Sequence, residues 1–219
     1  MDLLLWQLAD SAFPAGGFAH SAGLEPAMQH GEVTSRDELA GFVRAQIRQA
    51  GHGALPLVTA AHARPDDLER LDALCDAFLR NPVANRASRA QGQAFLTACA
   101  RSFPRSSVDQ LQGVLRASQL CGHHAPIFGA ALRTLEVDGV STQRLFLFLA
   151  SRTVTSAAVR LGLVGPYEAQ QLQFAMSTEI DRTLEVCAGL RPREIAHTTP
   201  LIDLFQSTHD RLYSKLFQS

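Results

Sequence analysis

Apolar residues return every three or four positions along most of this chain, which is the spacing of one helical face. After Ser35-Arg36-Asp37-Glu38, which reads as a capping box, Leu39, Phe42, Val43 and Ile47 fall on one stripe. Gly51 and Gly53 are expected to end that helix, and residues 55–63 to form a short one. Asp66 or Asp67 can cap the next, whose stripe is Leu68, Leu71, Leu74, Cys75 and Phe78, stopping at Asn81-Pro82. Pro82 suits the first position of a helix running to about Phe103, where Pro104 stops it. Ser107 with Gln110 repeats the capping pattern before Leu111, Val114 and Leu115, and Ala125-Pro126 opens a segment with Ile127, Ala130, Ala131 and Leu135.

Residues 142–161 are apolar on every side in the middle, as in a buried central helix. Pro166 and Glu168 then start a long helix carrying Leu172, Met176, Ile180 and Leu184, ended by Gly189. Thr199-Pro200 caps a last helix with Leu201, Leu204, Phe205, Thr208, Leu212 and Leu216 along one side. No period-two alternation, hairpin turn, internal repeat or linker interrupts this pattern. It predicts an all-α fold of roughly eight to ten helices in one domain, residues 1–219.

Two stretches depart from plain amphipathic helix. The first runs from an apolar, tryptophan-bearing segment into Ser11-Ala12-Phe13-Pro14-Ala15-Gly16-Gly17-Phe18-Ala19-His20-Ser21-Ala22-Gly23-Leu24-Glu25. Pro14 fixes φ and the glycine pair opens left-handed angles, so a helix should stop near Ala12 and another start close to Ser21. Its density of small residues permits close approach of another backbone or of a partner. The second is Asp210-Arg211-Leu212-Tyr213-Ser214-Lys215-Leu216-Phe217-Gln218-Ser219, rich in large apolar side chains where a terminal segment is usually polar. With Tyr213 and Phe217 one helical turn apart, it reads either as a docked last helix or as a partner-binding helix.

Composition narrows the chemistry. The 219 residues are 46% hydrophobic and 19% charged, enough for a core and unlike a disordered chain. A net charge of −1 gives no general drive toward nucleic acid or anionic membrane, and the six apolar residues 145–150 are too few to span a bilayer. No secretory signal is evident, and four scattered cysteines (75, 99, 121 and 187) suit reduced core thiols in a cytoplasmic protein. There is no phosphate-binding glycine loop and no nucleophile elbow. His123-His124 are the nearest to metal ligands, but adjacent side chains on a helix diverge by about 100° and no cysteine stands at familiar ligand spacing. A capping or structural role is expected for both, with a transient or dimer-shared nickel contact at His123 or His124 as the alternative and no permanent metal or cofactor. Arg160, in an apolar run, needs a carboxylate, carbonyl or phosphate if buried, an internal ion pair being favoured.

Both unusual stretches, with Asn85-Arg86-Ala87-Ser88-Arg89-Ala90-Gln91-Gly92, His124-Ala125-Pro126-Ile127-Phe128-Gly129 and Ser156-Ala157-Ala158-Val159-Arg160-Leu161-Gly162, resemble the urease accessory protein UreF family. The resemblance implies an all-α, non-enzymatic chaperone that dimerises, binds the scaffold UreD (also called UreH) and recruits the GTPase UreG. The assembly acts on apo-urease and passes nickel to it, and the family member regulates GTP hydrolysis by its partner. It assigns Arg211, Tyr213, Lys215, Leu216 and Phe217 to the segment that orders on the scaffold. Gly16, Gly17, His20, Ser21 and Glu25 fall in the signature turn as a partner surface, and Arg160 becomes GTPase-facing or structural. Lys215 stands where the family motif has arginine, losing the bidentate fork. Two other classes compete: a small helical metal-dependent hydrolase using His20, His123 or His124, and a helical adaptor unrelated to urease.

Overall fold

Twelve α-helical segments make the described chain: α1 (Asp2–Ala9), α2 (Leu24–Gln29), α3 (Arg36–Gln49), α4 (Leu55–Ala63), α5 (Leu68–Phe78), α6 (Pro82–Ser102), α7 (Ser106–Ala117), α8 (His124–Thr134), α9 (Gly139–Arg160), α10 (Pro166–Ala175), α11 (Ser177–Cys187) and α12 (Pro200–Ser207). The computed structural model describes residues 2–104, 106–118 and 120–219, and among these no strand occurs. The fold is all-α, with buried side chains from nearly every helix in one continuous core.

Local chemistry explains most boundaries. The Ser35 hydroxyl accepts from the Glu38 amide, and the Glu38 carboxylate accepts from the Ser35 amide at 3.0 Å, closing the expected capping box. Asn81 accepts from the amides of Val83 and Ala84 ahead of α6, with Pro82 at its first position. Asp138 caps α9 through the Ser141 amide, and Glu168 accepts from Gly165 at the start of α10.

Several expected boundaries move, each for a packing reason. Gly51 and Gly53 do not stop a helix. Residues Ala50–Ala54 form a π-helical turn that joins α3 to α4, and the bare glycine faces admit Thr183 and Cys187 of α11 and the Phe78 ring. The long helix expected after Pro166 breaks at Met176 into α10 and α11. Ser107 lies inside α7 and gives its hydroxyl to the Thr134 carbonyl. The last helix ends at Ser207; a short 3₁₀ turn, His209–Arg211, follows, and residues 212–219 are non-helical, so the stripe through Leu212 and Leu216 does not form. Within α12, Ile202 is buried while Leu201 and Leu204 are exposed.

α9 is the hub, packing on α1, α2, α3, α4, α8, α10 and α11. The fully sheathed helix, however, is α8, buried from Ala125 to Leu132 against α4, α5, α6 and α7. Leu149 and Ala150 of α9 instead line a cavity, and apolar sequence alone does not distinguish cavity wall from core.

Candidate functional site

The two unusual stretches of sequence form one structure. α1 ends at Ala9, three residues before the expected stop, and residues 10–16 turn under the hydrogen bond from the Ala12 amide to the Asp10 carboxylate. Gly16 holds φ +76°, and a Cβ there would press on Ala94 at 3.0 Å, so both its angle and its space require glycine. Gly17 has room: an added Cβ would meet Thr153 at an ordinary 3.6 Å. A 3₁₀ turn, Gly17–Ala19, precedes His20, and α2 starts at Leu24 with Gly23, not Ser21, at its N-cap.

Residues 212–219 fold back onto this turn. The Ser219 carbonyl accepts from the Ser21 amide at 2.6 Å and the Ser21 hydroxyl at 3.2 Å. The Gln218 amide donates to the Ala19 carbonyl at 2.8 Å, and His20 Nδ1 pairs with the Ser219 hydroxyl at 2.5 Å. Glu25 organises the rest. Its carboxylate, 2% exposed, accepts from the Leu216 amide (2.6 Å), the Phe217 amide (3.2 Å) and His209 Nε2 (3.3 Å). A carboxylate taken out of water needs such donors, and here a distant segment supplies them.

Arg160 completes the closure. Its guanidinium stands 3.9 Å from the Phe18 ring centroid and 4.2 Å from that of Phe217, and it donates to the Phe18 carbonyl. The favoured internal ion pair is thus replaced by a carbonyl and two aromatic faces, which satisfy a cation without another charge. Lys215 donates to the Asp210 carbonyl at 3.1 Å, a contact a point donor makes as well as a fork. Arg86 on α6 pairs with the Asp210 carboxylate at 2.8 Å, tying the same segment to a further helix.

The tail is therefore an extended strap, not the helix its spacing suggested. Phe217 is buried by its own chain, while Tyr213 is fully exposed, Leu216 is exposed, and Phe18 stands out beside them. Arg211 and Lys215 are also exposed. Beneath the turn lies a cavity of about 510 Å³ whose wall includes Phe13, His20, Gln46, His124, Arg152 and Phe217. Burial, reinforced by His209, pushes His20 down to about 4; burial, reinforced by His20, does the same to His124. Both imidazoles are neutral at physiological pH.

The adjacent histidines diverge as helical geometry demands. His124 enters the aromatic cluster of Phe95, Phe128 and Phe146 and faces the cavity. His123 points the other way, to Ser88 and Asp76 at 3.1 Å each, with Cys121 beside them. Asp76 was not singled out by sequence, and Cys121, expected as a core thiol outside ligand spacing, instead lies part-exposed beside His123; the signal that could have found it is the Cys121-x-His123 spacing.

Sequence comparison bears on what this arrangement is for. The sequence model of the UreF family matches residues 33–177. A protein named urease accessory protein F from Oryza sativa subsp. indica is 39% identical over 216 residues, covering 97% of this chain and 83% of its own. The chain belongs to the UreF family. A urease accessory protein F from Arabidopsis thaliana is 38% identical over 220 residues (98% and 91% covered). UreF from Mycobacterium tuberculosis is 28% identical over 220 residues (99% and 98%). The family match begins after the signature turn and ends before the strap, whereas these UreF relatives align across nearly the whole chain. Membership supports a role in urease maturation. No helix among the described residues is long and apolar enough to cross a membrane.

Proposed function

We propose that this chain is a non-enzymatic, cytoplasmic chaperone of urease maturation that joins the scaffold UreD/UreH to the GTPase UreG. The complex delivers nickel to apo-urease, and this chain regulates GTP hydrolysis by UreG; it acts as a homodimer and handles nickel as cargo. The observation that carries the reading is the strap closed on the signature turn through Glu25, Ser219 and Arg160, which leaves Phe18, Tyr213 and Leu216 uncovered. Buried polar anchors hold the two segments in a fixed relation, and exposed aromatic and aliphatic side chains beside them offer the apolar contact that protein interfaces concentrate. Gly16, Gly17, His20, Ser21 and Glu25 support the surface from below, while Arg211, Tyr213, Lys215 and Leu216 contribute to it directly and Phe217 through its anchor. The neutral His20 and His124 serve the interior of this site, and no hydrolytic role is needed for either.

Co-expression with UreD/UreH and UreG, with and without GTP and nickel, tests the reading. The expected result is co-purification of all three and urease activation in cells, both lost when residues 212–219 are removed. Full activation by the truncated chain would overturn it.

A further inference from the structure

A second cluster stands apart from the strap, at the entrance to α8. Asp76 of α5, Cys121 of the α7–α8 connection and His123 place a carboxylate oxygen, a sulfur and an imidazole nitrogen all within 4.8 Å of one another. Among the described residues this is the only such group of three or more. We propose that Asp76, Cys121 and His123 bind one divalent transition-metal ion of the zinc, nickel or cobalt class, with a further coordination position open to solvent.

The donor set selects the class. A thiolate with an imidazole disfavours calcium and magnesium, which take oxygen shells, and suits borderline ions with a flexible third carboxylate ligand. Three protein ligands leave a position for water or an exchanging ligand, unlike a closed structural site.

The ligands are also held in advance. Asp72, 2% exposed, accepts from the amides of Cys121 (2.6 Å), Gly122 (3.2 Å) and His123 (2.7 Å), fixing the backbone that carries two of them. Gly92 lets α6 lie directly on that backbone, since a Cβ there would stand 2.1 Å from the Gly122 carbonyl oxygen. In the metal-free chain His123 Nε2–H donates to Asp76 Oδ1 at 3.1 Å and Nδ1 accepts from the Ser88 hydroxyl at 3.1 Å. Moving the proton to Nδ1, which then donates to Ser88, frees the Nε2 lone pair for a metal. The Asn85 amide donates to Asp76 Oδ1 at 2.9 Å and leaves Oδ2 available. The Asp76 side chain is 44% exposed and Cys121 is half-buried, so an ion enters from solvent. Hydrogen bonds from Asn85 and His123 hold the Asp76 carboxyl below its usual range. Burial and the neighbouring Asp76 push the Cys121 thiol up, only partly offset by Arg89, so the thiolate forms together with the metal. Binding displaces the Cys121 proton, shifts the His123 proton from Nε2 to Nδ1, and requires no redox partner. His124 has no place in this set, and the site does not depend on the accessory role proposed above.

The test uses the reduced full-length chain and Co²⁺ as a spectroscopic probe. One equivalent should produce a thiolate-to-cobalt charge-transfer band. Cys121→Ser should abolish the band, and Ser88→Ala should weaken Zn²⁺ competition by about tenfold, with the helical circular dichroism unchanged. No band at stoichiometric metal, or a band that survives in Cys121→Ser, overturns the proposal. A second readout needs no variant: bound Zn²⁺ should slow alkylation of Cys121, measured on its peptide by mass spectrometry. Equal rates with and without Zn²⁺ contradict the site.

Discussion

Glu25 and Asp72 solve one physical problem in two parts of the molecule. Each is a carboxylate 2% exposed, and each is satisfied by backbone amides of a remote non-helical segment. Asp72 gathers three consecutive amides, from Cys121 to His123, in a connection that leads straight into the buried helix α8. Glu25 gathers two amides, Leu216 and Phe217, plus the His209 ring, whose Nδ1 is buried without a hydrogen-bond partner. The first closure is welded into the core because α6 presses on it at Gly92. The second is bordered by exposed Tyr213, Leu216 and Phe18. The difference teaches that a buried carboxylate can either fix a loop permanently or hold a segment that can open, depending on what else packs over it.

The largest effect should come from Asp72→Ala. Up to three donors are stranded in a place water cannot easily reach, so global stability should fall by about 3–5 kcal/mol in chemical denaturation. A loss below about 1 kcal/mol would erase the distinction between the two closures.

Acid should act on the other region. His20 and His124 are held at about 4, below the ordinary histidine value of 6.5 that applies in the unfolded chain. Between those values the unfolded chain binds more protons, so stability is complete above about pH 6.5 and falls as pH drops toward 4. Each group taken alone contributes about 3 kcal/mol to that fall. Denaturation midpoints across this window should slope less steeply in His124→Leu than in the parent, and an unchanged slope would contradict the burial argument.

Glu25→Ala should cost less than Asp72→Ala, about 1–2 kcal/mol, because the Leu216 and Phe217 amides can regain water when the strap lifts. A global loss as large as that for Asp72→Ala would mean the strap is core. The smallest effect is Arg160→Leu, which removes a cation stacked on Phe18 and Phe217; about 1 kcal/mol is expected, read as faster proteolysis within residues 212–219.

Much of this was legible before the structure. Capping at Ser35, the Pro82 start and the residues 55–63 helix depend on neighbours in sequence, and they are found where local rules put them. The Gly51-Gly53 break failed because Thr183 and Phe78, far along the chain, use the glycines as sockets. The helical reading of Tyr213 and Phe217 failed for a related reason: Glu25 and Ser21 offer the strap's amides and carbonyls better partners than its own backbone does. That the signature turn and the strap are one site was beyond sequence pattern, since nothing periodic links residues almost two hundred positions apart. The same holds for Asp76 beside Cys121 and His123, where only the short spacing of the last two was visible.

Native-state hydrogen exchange at the Leu216 and Phe217 amides tests the central claim most directly. In the parent chain both should be protected well beyond the exposed amides of Tyr213 and Ser214, and Glu25→Ala should erase that protection while the Gly122 and His123 amides keep theirs. Unprotected Leu216 and Phe217 amides in the parent, or protection that survives Glu25→Ala, would contradict a strap held closed on the signature turn.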